Sequence, residues 1–172
     1  KYAISVPVEV NTAGGSISVD DLQGKVLCNT SGGSLTFGNI IGPVNGHTSG
    51  GSITLQGSKG DADITTSGGG ITIGQVDGKI NAETSGGSIR IASAKGSVLA
   101  ETSGGGITVE EVMGDIEAST SGGSIHANIS RQPAGPCRLS TSGGSVVVAL
   151  EEDIKVDLDA HTSGGRVRTQ FP

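Results

Sequence analysis

The chain has 172 residues, of which 31 are glycine, and only 2% are aromatic. This composition is typical of low-complexity sequence, and it disfavours a helical bundle or a doubly wound sheet because both need longer glycine-free apolar stretches. The 17 acidic residues outnumber the 11 lysines and arginines, and the net charge of −6 disfavours nucleic acid or an anionic membrane as a partner. No apolar run approaches the ~20 residues of a membrane-spanning helix.

The first predicted element is a strand over residues 4–10, where Ile4, Val6, Val8 and Val10 alternate with other residues. A short phrase, Thr-Ser-Gly-Gly-Ser-Ile or a close variant, then repeats to the end of the chain. Its nine copies begin at Thr12, Thr30, Thr48, Thr66, Thr84, Thr102, Thr120, Thr141 and Thr162, with six spacings of 18 residues followed by two of 21. A fixed period this short is typical of a solenoid, in which each repeat is one coil.

Each repeat, counted from its threonine as position 1, contains two segments in which apolar and polar residues alternate. Positions 6 and 8 are apolar around a polar position 7, as in Ile53-Thr54-Leu55, and positions 15 and 17 are apolar or small, as in Ile80-Asn81-Ala82. A period of two predicts a strand with one buried face. Glycines at positions 3, 4 and 13 separate the strands where the chain must turn. The predicted fold is therefore all-β: a single-stranded parallel β-helix (β-solenoid) whose coils stack about 4.8 Å apart.

We predict one domain over residues 1–172, with about ten coils and with 1–11 and 162–172 as partial terminal coils. A right-handed coil is favoured because parallel crossovers are right-handed in the great majority of cases. The left-handed hexapeptide helix also closes in 18 residues, but it needs small or aliphatic residues where this chain has Gln23, Lys59 and Asp77. The two 21-residue coils are expected to carry protruding corners at 132–136 and 151–153.

The repeated phrase is followed by a polar-apolar strand, a Gly-Lys-Ile or Gly-Asp-Ile step and an Ala-Glu-Thr return. From Val10 to Val167 this pattern resembles a bacterial adhesin-like repeat family, a domain of unknown function found in many cell-envelope proteins. The resemblance implies a single-stranded β-helix and an extracellular or cell-envelope location. The resemblance implies no catalytic residue, and the two 21-residue coils differ from the pattern of the family.

Outward positions 5 and 7 form a two-wide stripe of hydroxyl side chains, which we call the hydroxyl stripe and predict as the binding surface. Its candidate residues are Ser34, Thr36, Ser52, Thr54, Thr72, Arg90, Thr108 and His126. Regularly spaced hydroxyls on a flat sheet would match an ordered surface such as ice or a polysaccharide. The simpler interpretation, which we favour, is that serine and threonine are good solvent-facing strand residues.

Other chemistry-bearing residues are expected to be structural. The threonine at position 1 should point inward and satisfy backbone groups at the glycine pair. Cys28 and Cys137 should be buried free thiols, since about 29 Å separates their coils and a disulfide needs far less. His47, His126 and His161 belong to different coils and cannot share a metal ion.

No catalytic set or cofactor site is predicted. Neither a Ser-His-Asp nor a Cys-His set can be assembled within a coil or two, and each glycine pair precedes a strand rather than the helix of a phosphate-binding loop. The acidic turns are expected to be solvated, because they lack the dense oxygen ligands of a calcium site. Lys59, Asp77 and Lys95 share one column and should form a surface ion-pair ladder.

The leading hypothesis is a non-enzymatic structural or adhesive β-helix domain of an exported or cell-envelope bacterial protein. Its partner would be a cell-surface protein or a polysaccharide, with no nucleic acid, no cofactor and no transmembrane segment in this chain. Two alternatives stay open. One is a self-associating scaffold that stacks end to end through unpaired edge strands. The other is a carbohydrate-binding or lyase-type β-helix.

Overall fold

The computed structural model describes residues 7–170, and within that range the chain forms nineteen strands and no helix. The strands alternate along the chain between two parallel sheets, so that each full coil contributes to both. This arrangement confirms the predicted all-β solenoid. None of the described residues belongs to a helix that could cross a membrane.

Sheet A has nine strands and sheet B has ten. The strands of sheet A are β1 (Val8–Thr12), β4 (Val26–Thr30), β6 (Val44–Thr48), β8 (Ala62–Thr66), β10 (Ile80–Thr84), β12 (Val98–Thr102), β14 (Ile116–Thr120), β16 (Cys137–Thr141) and β18 (Leu158–Thr162). Those of sheet B are β2 (Ile17–Val19), β5 (Leu35–Ile41), β7 (Ile53–Ser58), β9 (Ile71–Val76), β11 (Ile89–Ala94), β13 (Ile107–Val112), β15 (Ile125–Ile129), β17 (Val146–Leu150) and β19 (Val167–Gln170), with β3 (Leu22–Gln23) beside β5.

Each strand pairs in register with the equivalent strand of the next coil, except that the pairing of β13 with β15 shifts by one residue between Val109 and Val112. Ile53 faces Ile71 in sheet B, and Thr30 faces Thr48 in sheet A. The pairing of Thr120 with Thr141 spans one of the 21-residue coils without a change of register. The eight steps across sheet A give it a length of about 38 Å. Every position of the repeat therefore becomes a row of side chains along the rod.

The core is built from inward rows of mostly aliphatic side chains. Ile71 and Ile73 are each 1% exposed, and Ile80 and Ala82 are 2% and 0% exposed. Burial of each large aliphatic side chain stabilises the fold by about 1.5–3 kcal/mol. A third inward row at position 11 was missed by the sequence analysis. It consists of Leu22, Ile40, Ser58, Val76, Ala94 and Val112, of which Leu22 is half-buried and the others are buried.

The chain bends at the glycine pair, as predicted, and the second glycine is also required for close stacking of the coils. At the second glycine of the pair the backbone has no positive φ. A Cβ built on Gly87 would instead overlap the carbonyl oxygen of Gly69, the equivalent residue one coil earlier. The same overlap recurs at this position from Gly33 to Gly165. Any side chain at this position would force the two coils apart.

The two predicted insertions lie at corners, as expected. Residues 131–136 form no strand, and the Gly135 amide donates to Asp115 Oδ1 at 2.6 Å. Residues 151–157 contain a turn in which Asp153 has a φ of 69°. Within the predicted terminal coils, residues 8–12 form β1 and residues 167–170 form β19; the predictions for 1–6 and 171–172 lie outside the described residues. The hand of the coil stays a prediction.

Candidate functional site

The threonine at position 1 ties neighbouring coils together from inside the rod. Thr84 Oγ1 donates to the carbonyl oxygen of Gly69, in the preceding coil, at 2.8 Å. It also accepts the backbone N–H of Gly87, in its own coil, at 3.4 Å. Equivalent pairs of hydrogen bonds recur at Thr30, Thr48, Thr66, Thr102, Thr120, Thr141 and Thr162. The predicted structural role of this row is confirmed.

The serines of the hydroxyl stripe are also part of the scaffold. Ser34 Oγ accepts the backbone N–H of Ser52 at 3.3 Å, and Ser52 Oγ accepts that of Gly70 at 3.2 Å. These serines therefore fix the spacing of successive coils at the edge of sheet B. This role was not predicted from the sequence, although the frequent serine directly after the glycine pair was a signal for it. Their role in binding a partner stays a prediction.

The other predicted stripe residues form one continuous outer row of sheet B. Strand pairing places them side by side in the order Thr36, Thr54, Thr72, Arg90, Thr108 and His126. All are exposed except Thr108, which is half-buried. Across the described chain, none of these side chains takes part in a side-chain hydrogen bond or an ion pair with another residue. The row is therefore free to meet a partner.

The histidines and cysteines are dispersed, as predicted. His47, His126 and His161 lie on β6, β15 and β18. Among residues 7–170 there is no group of three or more histidine, cysteine, aspartate or glutamate side chains that could hold a metal ion. Cys28 and Cys137 are buried free thiols, and burial raises the pKa of both.

The charged side chains outside the core form a few exposed pairs. Lys95 Nζ lies 2.7 Å from Asp77 Oδ1, and this contact lowers the pKa of the Asp77 carboxyl. Lys59 attracts the same carboxylate only from a longer distance, so the predicted ion-pair ladder contains one pair in close contact, Asp77 with Lys95. Arg138 lies between Glu117 and Asp159, at 3.7 and 3.8 Å.

A long groove of about 590 Å³ crosses the outer face of sheet A from Lys25 to Arg138. Some of its polar side chains are bound to one another, since Asp63 accepts hydrogen bonds from the side-chain amides of Asn45 and Asn81, at 3.2 and 3.0 Å. Asp61 Oδ1 accepts the backbone N–H of Lys79 at 2.8 Å. The polar lining of this groove is therefore partly satisfied within the fold.

A second depression, of about 540 Å³, lies at the corner where β3, β5, β7 and β9 end. We call it the corner trough. It is lined by the side chains of Gln23, Ile41, Gln56 and Gln75, among others. It was not predicted from the sequence, because the residues that form it occupy repeat positions that vary from coil to coil.

Together, the stacked coils and the outward rows define the class of this protein as a β-solenoid repeat protein. Comparison with protein-family models, with curated proteins and with solved structures finds no match for the chain.

Proposed function

We propose that this chain is a non-enzymatic adhesive rod, a structural domain of an exported or cell-envelope bacterial protein. The observation that carries the proposal is the coil-by-coil repetition of the outer rows. Thr36, Thr54 and Thr72 face outward in successive coils, in register and about 4.8 Å apart. A surface with this regular spacing suits a partner that itself repeats, such as a polysaccharide or an array of cell-surface proteins.

Rigidity of the rod supports the same proposal. Each coil is joined to the next by the sheet ladders, by a threonine hydroxyl inside and, at most coils, by a serine hydroxyl outside. A rod built in this way holds its outer rows at fixed distances, so that ordering them on binding costs little conformational entropy. The export part of the proposal is supported by the resemblance of the repeated phrase to adhesin-like repeats.

Adhesion is tested with beads coated with the purified domain and placed on intact bacterial cells under flow. We expect several-fold more beads to be retained than with an albumin coating, and equal retention would refute the adhesive role. Export is tested separately by protease treatment of intact cells that express the full-length protein. Cleavage of the domain without cell lysis is the expected result, and full protection would refute an exposed location.

The non-enzymatic part of the proposal has its own test. A lyase-type β-helix cleaves uronic-acid polysaccharides by elimination, which leaves a product with a new double bond that absorbs ultraviolet light. We expect no increase in absorbance when the domain is incubated with pectate or alginate. A steady increase in absorbance that requires the domain would refute the non-enzymatic proposal in favour of the lyase alternative.

End-to-end stacking is a second candidate function, which a specific observation favours. Val167 on β19 is 43% exposed, although its row is fully buried at Val146 in the neighbouring strand. Leu158 and Ala160 on β18 are only half-buried. A second copy that added a coil here would cover these side chains and pair the edge of β19 that no other described strand pairs. Light scattering should then show a mass that increases with concentration, and Val167→Lys should abolish the increase.

A further inference from the structure

The corner trough is formed at positions of the repeat whose residue type varies from coil to coil. Position 12 is polar in Gln23, Lys59, Asp77 and Lys95 but apolar in Ile41 and Met113. Ile41 is 52% exposed, more than any other large apolar side chain of the described chain. The fold does not need it there, since the preceding residue, Ile40, already fills the core and is 1% exposed.

Three glutamines line the same depression as this isoleucine. Gln23, Gln56 and Gln75 are exposed, and across residues 7–170 their amides form no side-chain hydrogen bond. Gly57 is the strand partner of Gln75 and carries no side chain, so the surface dips beside the amide. The three amides are therefore free to donate and accept hydrogen bonds across the depression.

The charges at the trough nearly cancel. Asp77 at its edge is paired with Lys95 at 2.7 Å and is also attracted by Lys59. Asp21 is already engaged, because its Oδ1 accepts the backbone N–H of Asn39 at 2.7 Å. A ligand of high charge would gain little here, whereas a neutral ligand rich in hydroxyl groups would find matching partners.

We propose that the corner trough binds a neutral glycan, as a short segment of an unbranched polysaccharide. Amides and sugar hydroxyls both donate and accept hydrogen bonds, and Ile41 offers an apolar surface to the C–H face of a sugar ring. The four strand ends span about 14 Å along the rod, and the volume lies within the usual range for ligand sites, roughly 300–1,000 Å³. The inference rests on the proposed adhesive function, and it names the ligand class.

The test is affinity gel electrophoresis of the purified domain in gels that contain a mannan, a dextran, a β-glucan or the anionic polysaccharide alginate. We expect at least one neutral polysaccharide to retard the wild-type domain more than alginate does. The double variant Gln56→Ala/Gln75→Ala should bind it at least about tenfold more weakly, because two hydrogen-bonding side chains are lost. Ile41→Ser should also weaken binding by several-fold.

A control variant lies outside both the hydroxyl stripe and the trough. Ser49→Ala/Ser67→Ala removes two exposed hydroxyl side chains at position 2 of the repeat and leaves the trough intact. We expect its affinity to stay within about twofold of the wild type. All substituted side chains are exposed, so the melting temperatures should remain close and a loss of binding can be separated from unfolding.

The remaining outcomes each decide the inference. Equal affinity of the trough variant and the wild type overturns it, as does an equal loss of binding in the control variant or a preference for alginate. Bead adhesion without retardation by any neutral polysaccharide overturns the trough inference and leaves the adhesive proposal standing. Retardation that depends on the glutamines, without bead adhesion, supports the trough and refutes the adhesive role.

Discussion

Replacing Thr84 with valine tests the inner row of hydroxyls. Thr84 is 3% exposed. Its Oγ1 donates to the carbonyl oxygen of Gly69 at 2.8 Å and accepts the backbone N–H of Gly87 at 3.4 Å. Valine has nearly the same shape, so the packing of the side chain is kept and no cavity forms. The substitution therefore removes the two hydrogen bonds and little else.

The expected cost follows from the groups that lose their partners. A hydrogen bond contributes about 1 kcal/mol net, and a buried group left without a partner costs about 1–3 kcal/mol. Both backbone groups are only partly buried, so we expect the free energy of unfolding to fall by about 2–3 kcal/mol. For a chain of this size each kcal/mol lowers the melting temperature by about 2–4 °C, which predicts a decrease of about 4–12 °C.

Thermal unfolding followed by circular dichroism measures this decrease. Thr72→Val is the matched control, because Thr72 lies on β9 and points to solvent. Its effect should stay within about 0.5 kcal/mol. If Thr84→Val and Thr72→Val unfold at the same temperature, the inner hydroxyls do not stabilise the stack and the reasoning is refuted.

Three further predictions concern the stacking, the thiols and the surface charges. Gly87→Ala should lower the free energy of unfolding, measured by chemical denaturation, by more than about 3 kcal/mol, because the new Cβ would overlap a backbone carbonyl. Gly15→Ala should lower it far less, because the nearest atom to its new Cβ lies 3.6 Å away, and equal losses would contradict close stacking at the second glycine. The two buried cysteines should react with a thiol reagent at least about 100-fold more slowly in the folded protein than in denaturant, and equal reaction rates would show that the thiols are exposed. Because folding raises the pKa of both thiols, the free energy of unfolding should fall as pH rises through and above the ordinary thiol range. The pKa of the Asp77 carboxyl should lie below the usual aspartate range and should move back toward that range in Lys95→Ala or in high salt. The stabilisation by this ion pair is therefore present above the ordinary pKa of aspartate and is lost as pH falls. An unchanged pKa in Lys95→Ala would exclude the ion pair as the cause.

The repeat allowed most of the fold to be predicted from the sequence. A strand exposes one face, so the alternation in segments such as Ile53-Thr54-Leu55 assigned each side chain to the core or to solvent. The fixed period then assigned the strand partners. The inward row at position 11 was missed because it mixes Ser58 and Ala94 with aliphatic residues. Ser58 is tolerated there because its hydroxyl donates to the Gly42 carbonyl at 2.8 Å, a contact that no local pattern predicts.

The candidate site was harder to predict, because the repeat describes what the coils share. The hydroxyl stripe was found by looking for uniform rows, and its threonines do form such a row. The corner trough depends instead on Ile41, Gln56 and Gln75, which occupy three different repeat positions whose residue type varies from coil to coil. Only the structure shows that these residues meet at one corner.

Cysteine cross-linking across the outer face of sheet B tests the in-register rows on which the proposed function depends. Thr54 and Thr72 are direct strand partners, and Arg90 is one coil further along the same row. Neighbouring coils lie about 4.8 Å apart, within the roughly 4.4–6.8 Å that a disulfide spans between Cα atoms, whereas two coils are about 9.6 Å apart. Oxidation should therefore join the cysteines in Thr54→Cys/Thr72→Cys and leave those in Thr54→Cys/Arg90→Cys reduced. A disulfide in the second variant and none in the first would contradict the stacked, in-register rod.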